Sequence, residues 1–323
     1  MREIVAVDIG GTHARFAIAG IKSERVVSLD RQATLRTAEH ASLQTAWEAY
    51  AATCGQLLPR EAGIAVACPI QGEVLKLTNN PWIIRPALIG EKLGLDRFSL
   101  VNDFGAIGHA VAQLGPEHLR HLCGPDEPIR DDEVVTIVGP GTGLGVALLL
   151  RRGGRVEVIE TEGGHLDFAA LDTIEEAIIQ RLRGRYRRVS VERIVSGPGL
   201  ANIYEALGAI EGRPVATFDD KALWAAALND TDSLAVAAFD RFCLSLGAVA
   251  GDIALAQGGT RVVIAGGLGL RIADHLPRSG FAARFRAKGR FEERMAQVPV
   301  QLVTYSEPGL LGAAAAFCQE HPR

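Results

Sequence analysis

The chain lacks most of what would place a protein outside the cell, in a membrane or on nucleic acid. Its five cysteines, Cys54, Cys68, Cys123, Cys243 and Cys318, are odd in number, scattered, and without a C-x-x-C pair. Neither a disulfide framework nor a four-ligand zinc site is expected, and buried free thiols are the simpler reading. Basic charge is not in excess. With 34 Lys and Arg against 38 Asp and Glu, the formal net charge is −4, which leaves no footprint for duplex nucleic acid or an anionic membrane surface. No signal peptide is read at the start, where Met1-Arg2-Glu3 leads into a short apolar run ending at Asp8. The most apolar long segment, residues 234–256, is interrupted by Asp240, Arg241 and Asp252, so a bilayer span is not expected. There is no Pro- or Ser-rich linker between halves. A soluble, cytoplasmic protein with no nucleic-acid or membrane partner is the expectation.

What is present is ordinary globular composition with one excess. At 323 residues the chain is long enough for two domains, and 48% hydrophobic with 22% charged residues excludes disorder as a whole-chain description. Glycine is over-represented at 36 of 323, about 11% against a usual ~7%. Without a Gly-X-Y period, the excess belongs to turns and close backbone approaches.

The pattern along the chain repeats. An apolar strand over 4–8 meets the turn Gly10-Gly11-Thr12, followed by strands over 14–19 and 26–29 with a turn at Gly20. Strand 134–138, turn Gly139-Pro140-Gly141-Thr142-Gly143, strand 144–150, a break at Gly154 and strand 156–159 run in the same order, with Thr12 and Thr142 at matching places. Two related α/β domains follow from such repetition. Further strands are read at 64–67, 75–77, 98–101, 262–265 and 300–303. Helical spacing starts at Leu43 and again near Gly105 and Gly312. Thr173-x-x-Glu176 reads as a capping box, Ser190 as an N-cap and Pro198 as a first helical residue. Residues 233–256 read as a buried helix whose Gly247-x-x-x-Gly251 permits close packing.

Several residues carry chemistry in this frame. Both glycine turns suit a phosphate cradle, because missing side chains let backbone N–H groups approach an anion and threonine adds a donor. Either turn alone could equally be a glycine-rich hairpin, but their recurrence after equivalent strands favours the cradle. Neither is a Walker A or a G-x-G-x-x-G site, and each leads into a strand rather than a helix. Asp8 ends a buried strand, so its carboxylate needs a donor or a cation; it either bonds its own turn or serves Mg²⁺ through water. Asn102-Asp103 ends another strand, at an edge where α/β sheets tend to bind ligands. The pair is either a helix cap or a place where Asp103 accepts a hydroxyl proton during phosphoryl transfer. Glu162-Gly163-Gly164-His165 sets a carboxylate and an imidazole on a short loop suited to a polyol. Glu192 alone reads as a surface residue in a first helical turn. His118-x-x-His121-x-Cys123 lacks a fourth ligand and reads as a surface segment.

These motifs, in order, resemble a known family. Asp8-Ile9-Gly10-Gly11-Thr12-His13-Ala14-Arg15, Leu77-Thr78-Asn79, Asn102-Asp103-Phe104, Gly141-Thr142-Gly143-Leu144-Gly145, Glu162-Gly163-Gly164-His165, the run from Glu192 to Leu200, Ala265-Gly266-Gly267 and Pro308-Gly309-Leu310-Leu311-Gly312 are similar to the bacterial ATP-dependent glucokinases. Those belong to the hexokinase branch of the actin-like ATPase superfamily. The resemblance covers essentially the whole chain. It implies a two-domain α/β fold, a duplicated ribonuclease-H-like arrangement with a central cleft. The small domain would be 1–110 completed by 304–323, and the large domain 111–303. It implies transfer of phosphate from ATP to the 6-hydroxyl of D-glucose, in the first step of glycolysis.

By the same resemblance Asp103 is the catalytic base, and Asn79, Asn102, Asp103, Glu162, His165 and Glu192 bind the sugar. Asp8, Gly10, Gly11, Thr12, Gly141, Thr142 and Gly143 serve the ATP phosphates, with Asp8 near Mg²⁺ through water. Ser196, Gly197, Gly266 and Gly267 lie toward the nucleoside, and a homodimer is implied. Leu166-Asp167-Phe168-Ala169 follows the Gly-His loop without the cysteines of the related repressor–open reading frame–kinase group, so zinc is not expected. The alternatives are a kinase for another hexose, such as mannose or an N-acetylated sugar, and a sugar-binding regulator. The latter usually carries a DNA-binding module ahead of its first strand, and here that strand is read from Ile4.

Overall fold

The computed structural model describes residues 1–55, 57–77 and 80–322. The chain divides into two compact units. One comprises Met1–Gly115, Val158–Glu160 and Tyr305–Arg323; the other comprises Pro116–Glu157 and Thr161–Thr304.

In the first unit the elements run β1 (Arg2–Ile9), β2 (His13–Lys22), β3 (Arg25–Arg36), α1 (Leu43–Cys54), β4 (Glu61–Val66), β5 (Leu75–Lys76), β6 (Ile83–Ile84), α2 (Pro86–Leu93), β7 (Arg97–Asn102) and α3 (Asp103–Gln113). The C-terminal helix, α11 (Pro308–Glu320), completes it. Five strands form a sheet in the order β3-β2-β1-β4-β7. β1 pairs antiparallel with β2 and parallel with β4, which pairs parallel with β7. The period-2 alternation of β1 sorts its side chains between two layers. Val5, Val7 and Ile9 join Leu43, Ala46, Trp47 and Tyr50 of α1, while Ile4 and Ala6 join Leu310, Ala314 and Phe317 of α11. Glycine lets helix α11 lie close to both the sheet and α3: a Cβ on Gly63 of β4 would collide with Ala313 O, and one on Gly312 with Ala106 O of α3.

The second unit holds β8 (Leu119–Cys123), β9 (Glu133–Pro140), β10 (Leu144–Arg152), β11 (Arg155–Thr161), α4 (Thr173–Arg183), α5 (Gly197–Ile210), α6 (Asp220–Leu228), α7 (Ser233–Gln257), β12 (Arg261–Ile264), α8 (Gly266–Arg271), α9 (Phe281–Arg286), α10 (Glu292–Ala296) and β13 (Val300–Val303). Three residues of β11, Val158–Glu160, cluster with the first unit. The six-stranded order is β11-β10-β9-β12-β13-β8. β9 pairs antiparallel with β10 and parallel with β12, and β12 runs parallel to β13. The repetition read in the sequence is therefore a repetition of topology, with β9, β10, β12 and β13 in the roles of β1, β2, β4 and β7. Helix α7 is long and apolar enough by length and composition to cross a membrane, but 72% of its apolar window is buried. It is a core helix. A Cβ on Gly247 would collide with Phe281 O, and one on Gly251 would lie 2.5 Å from Phe285 O, so the glycine pair does admit α9.

Three local readings are corrected and a fourth is made more specific. Gly20 is inside β2, and the chain turns instead at Ser23 and Glu24, both at positive φ (50° and 59°), a mirror-type hairpin turn that suits strand twist. The cap of α4 is Asp172, whose side chain accepts from the N–H groups of Ile174 and Glu175; Thr173 is already helical. Ser190 precedes only a 3-10 turn (Val191–Arg193) and makes no side-chain cap bond. The segment with His118, His121 and Cys123 includes edge strand β8, which pairs antiparallel with β13. Among the described residues no group of three or more His, Cys, Asp or Glu could hold a metal.

Candidate active site

In the first unit, the hairpin between β1 and β2 closes at the pair Ile9–Ala14. Gly10 N–H donates to His13 O at 2.9 Å, and the Thr12 hydroxyl lies 2.9 Å from His13 Nδ1. The turn is held from outside by three bonds. Thr37 donates its hydroxyl to Gly11 O and its N–H to Thr12 O, both at 3.0 Å, and Asn80 Nδ2 donates to Gly10 O at 3.0 Å. Asn79, placed in the sugar set, lies outside the described residues.

Asp8 belongs to the face of β1 covered by α11. Its Oδ2 accepts from Arg15 at 3.1 Å, and Arg15 Nε lies 3.5 Å from Glu307 Oε2 at the start of α11. The Asp8 side chain is 16% exposed. Burial pushes its carboxyl up, and the Arg15 charge and hydrogen bond pull the other way. Burial also raises Glu307, with Arg15 opposing and Asp8 adding to the rise. Asp8 and Glu307 thus share one guanidinium, and their two carboxyls resist simultaneous ionisation.

The helix-cap reading of Asn102-Asp103 holds for Asn102. Asn102 is the N-cap of α3, its side chain accepting from Phe104 N (2.9 Å) and Gly105 N (3.4 Å) while Nδ2 donates to Cys68 O at 3.2 Å. Asp103 is the first residue of α3, half-buried, with Oδ1 accepting from Phe104 N at 2.9 Å. The helix starts two residues earlier than its periodicity predicts, because the cap rather than the apolar spacing decides where it begins. Capping falls to Asn102, and Asp103 stands on a fixed backbone.

In the second unit, the predicted residues gather around one turn. The hairpin of β9 and β10 closes at Pro140–Leu144, and Gly141 N–H donates to Gly143 O at 2.8 Å. Four other segments meet it. Glu192 Oε2 accepts from Leu144 N at 3.0 Å, and a Cβ on Gly143 would collide with that oxygen. Gly164 approaches so closely that its Cβ would collide with Leu144 O. Gly197 N–H donates to Gly141 O at 2.7 Å. Gly266, at φ +84°, would bring a Cβ within 3.0 Å of Pro140 O. Ser196 caps α5 by accepting from Gly199 N, leaving Pro198 as the second helical residue, and Gly267 opens α8 beside Gly266. Thr142 sits at the tip of the turn. Glu162 precedes the 3-10 turn Gly163–His165 and His165 ends it; the two side chains are 65% and 59% exposed, with Oε2 and Nε2 3.9 Å apart.

The sequence reading missed Asn80, Arg15, Glu307 and Glu160. Arg15 stands in a quoted motif, but nothing in the sequence pairs it with Glu307, 292 positions on. Glu160 Oε1 accepts the backbone N–H of Asn102 at 2.8 Å, across 58 positions of sequence.

Two equivalent sheets, each with a Gly-Thr hairpin between its first antiparallel strands, define the actin-like ATPase class. Solved structures bear this out. The chain superposes on a glucokinase from an Antarctic psychrotroph with TM-score 0.85 and 32% identity, covering 98% of each chain. It also matches a ROK family glucokinase from Streptomyces griseus, solved with glucose and AMPPNP, at TM-score 0.64 and 20% identity, over 97% of this chain and 98% of that one. Within that class the chain belongs to the glucokinase family, whose model, Glucokinase, matches residues 5–320. The glucokinase of Zymomonas mobilis subsp. mobilis is 63% identical over 319 residues, 99% of this chain and 98% of that protein.

Proposed function

We propose that the protein phosphorylates D-glucose at its 6-hydroxyl with ATP, giving glucose 6-phosphate and ADP, the first step of glycolysis. The observation that carries this reading is the 63% identity to a glucokinase over the full chain. The geometry supports the roles. Asp103, fixed at the first position of α3, takes the 6-hydroxyl proton as that oxygen attacks the γ-phosphorus and ADP leaves. Asn79, Asn102, Glu162, His165 and Glu192 read the sugar. The turns Gly10-Gly11-Thr12 and Gly141-Thr142-Gly143 offer backbone N–H groups to the phosphates. Ser196-Gly197 and Gly266-Gly267 face the nucleoside side of the second turn.

Asp8 fits a water-mediated Mg²⁺: it is a buried carboxylate only partly neutralised by Arg15, and no three-ligand protein cage surrounds it among the described residues. That donor set suits a cation held chiefly by phosphate oxygens and water. When bound, the ion neutralises charge on the phosphates. Zinc has no part in this reading. The protein is further taken to be a cytoplasmic homodimer; its five free cysteines suit a reducing compartment, and sedimentation measures the dimer.

A coupled assay over a hexose panel tests the reading, with D-glucose expected to give the highest kcat/KM. A higher value for mannose or an N-acetylated hexose would transfer the reading to that sugar. Asp103→Asn should lower kcat about 10²–10⁴-fold with glucose binding retained. A variant keeping more than about a tenth of kcat, with chemistry rate-limiting, would remove the base role.

A further inference from the structure

The cap of α3 is incomplete in its own sequence. In a capping box, the N-cap side chain accepts from the N3 backbone, and an acidic or amide side chain at N3 accepts from the N-cap N–H. Asn102 supplies the first half, but N3 is Gly105 and has no side chain. Glu160 supplies the second half from strand β11, its Oε1 accepting the Asn102 N–H at 2.8 Å.

The fit is built in. A Cβ on Gly105 would collide with the Glu160 carboxylate, and one on Gly108 would lie 2.5 Å from Val158 Cγ1. Two glycines one helical turn apart meet two residues on one face of the strand, 158 and 160. The two bare positions therefore admit the strand, and the carboxylate occupies the place of the missing N3 side chain. Glu160 also lies two positions before Glu162 in sequence.

We propose that Glu160 is the positioning residue for Asp103, completing the cap on which the base stands; this rests on Asp103 being the base. The carboxylate has two effects. It fixes the backbone at Asn102 and hence the direction of the side chain that follows. It also places negative charge at the amino end of α3, which raises the proton affinity of a carboxylate there and makes it a better base.

The test compares Glu160→Ala, Glu160→Gln and Asp103→Asn in the full-length protein. Glu160→Ala loses the acceptor and should lower kcat roughly 10–100-fold, since small displacements of a reacting group carry such factors, with glucose KM within about threefold. Glu160→Gln keeps an acceptor but not the charge. It should recover most of kcat while the acid limb of the kcat–pH profile moves to lower pH. A purely structural role would lower melting temperature and leave both kcat and the profile of the folded protein unchanged.

The inference is overturned if folded Glu160→Ala keeps kcat within twofold, or if Glu160→Gln is as impaired as Glu160→Ala. Should Glu160→Ala fail to fold, an unmoved acid limb in Glu160→Gln overturns it as well. An inactive Asp103→Asn beside a normal Glu160→Ala removes Glu160 alone. An active Asp103→Asn removes the base reading and this inference with it.

Discussion

The two glycine hairpins share a topology and differ in what surrounds them. The first has a charged group beside it, with Asp8 on β1 facing Arg15 on β2 and Glu307 beyond. Its turn is fastened by side chains reaching in, Thr37 and Asn80. At the corresponding place in the second hairpin stands Gly139, paired with Gly145, and no side chain intervenes. There the turn is approached by other backbones, at Gly164, Gly197 and Gly266, and by the single carboxylate of Glu192. A repeated framework has thus been used in two ways. One copy keeps charge next to the turn, and the other gives up side chains so that four segments converge on it.

Acid is expected to separate the two units most strongly. His109 on α3 is pushed down by burial from 6.5 to about 4, against a hydrogen bond with Gln319 and the charge of Glu320, both on α11. The unfolded chain takes up a proton near pH 6.5 that the folded first unit refuses. The contribution to stability is therefore complete above pH 6.5 and is lost as pH falls toward 4, by at most about 3 kcal/mol. Asp8 and Glu307, raised by burial, act in the opposite sense, so the informative quantity is a difference. Thermal melts from pH 4 to 7 should show a smaller acid loss for His109→Gln than for the unmodified protein. Equal slopes would mean that the α3–α11 contact does not carry the acid sensitivity.

A smaller effect should fall on the second unit. In Gly164→Ala the new methyl meets Leu144 O, a backbone atom with no rotamer to change. Overpacking of this kind costs about 1–3 kcal/mol, and the displaced loop carries Glu162 and His165. Denaturant unfolding should show the loss together with a raised glucose KM. Unchanged stability with an unchanged KM would show that the loop does not depend on its contact with the hairpin.

The residues that carry this comparison were legible in unequal measure. Strands, both glycine turns and helix α7 follow from apolar runs and punctuation, because burial on both faces writes itself into composition. Strand β8 escaped because Arg120 and His121 break its apolar pattern; only Leu119 and Leu122 are buried there. The start of α3 escaped because Asn102 caps it by a side-chain bond that no periodicity records. Glu160, Glu307 and Asn80 escaped for another reason. Each acts on a partner at least 58 positions away, and a single sequence contains no signal of such pairing. Glu192 was singled out only by resemblance, and its acceptance of the bond from Leu144 N depends on a partner 48 positions away that no local pattern records.

The smallest expected effect is the sharpest test of whether both hairpins serve one nucleotide. A Cβ on Gly141 meets nothing within 4 Å, and on Gly10 the nearest atom, His13 O, would be at an ordinary 3.6 Å. Neither glycine has the positive φ that would strain an alanine. Gly10→Ala and Gly141→Ala should therefore fold with unchanged melting temperatures, each methyl entering space that no close neighbour fills. If each turn cradles phosphate, each variant should weaken ATP by about tenfold, ~1.4 kcal/mol, while calorimetry finds glucose affinity unchanged. Loss in Gly141→Ala alone would make the first hairpin a charged support rather than a cradle, with Asp8 its only link to the nucleotide. Unchanged ATP affinity in both folded variants would reduce both turns to strand connections, and the absence of side chains there would then need a reason other than the approach of an anion.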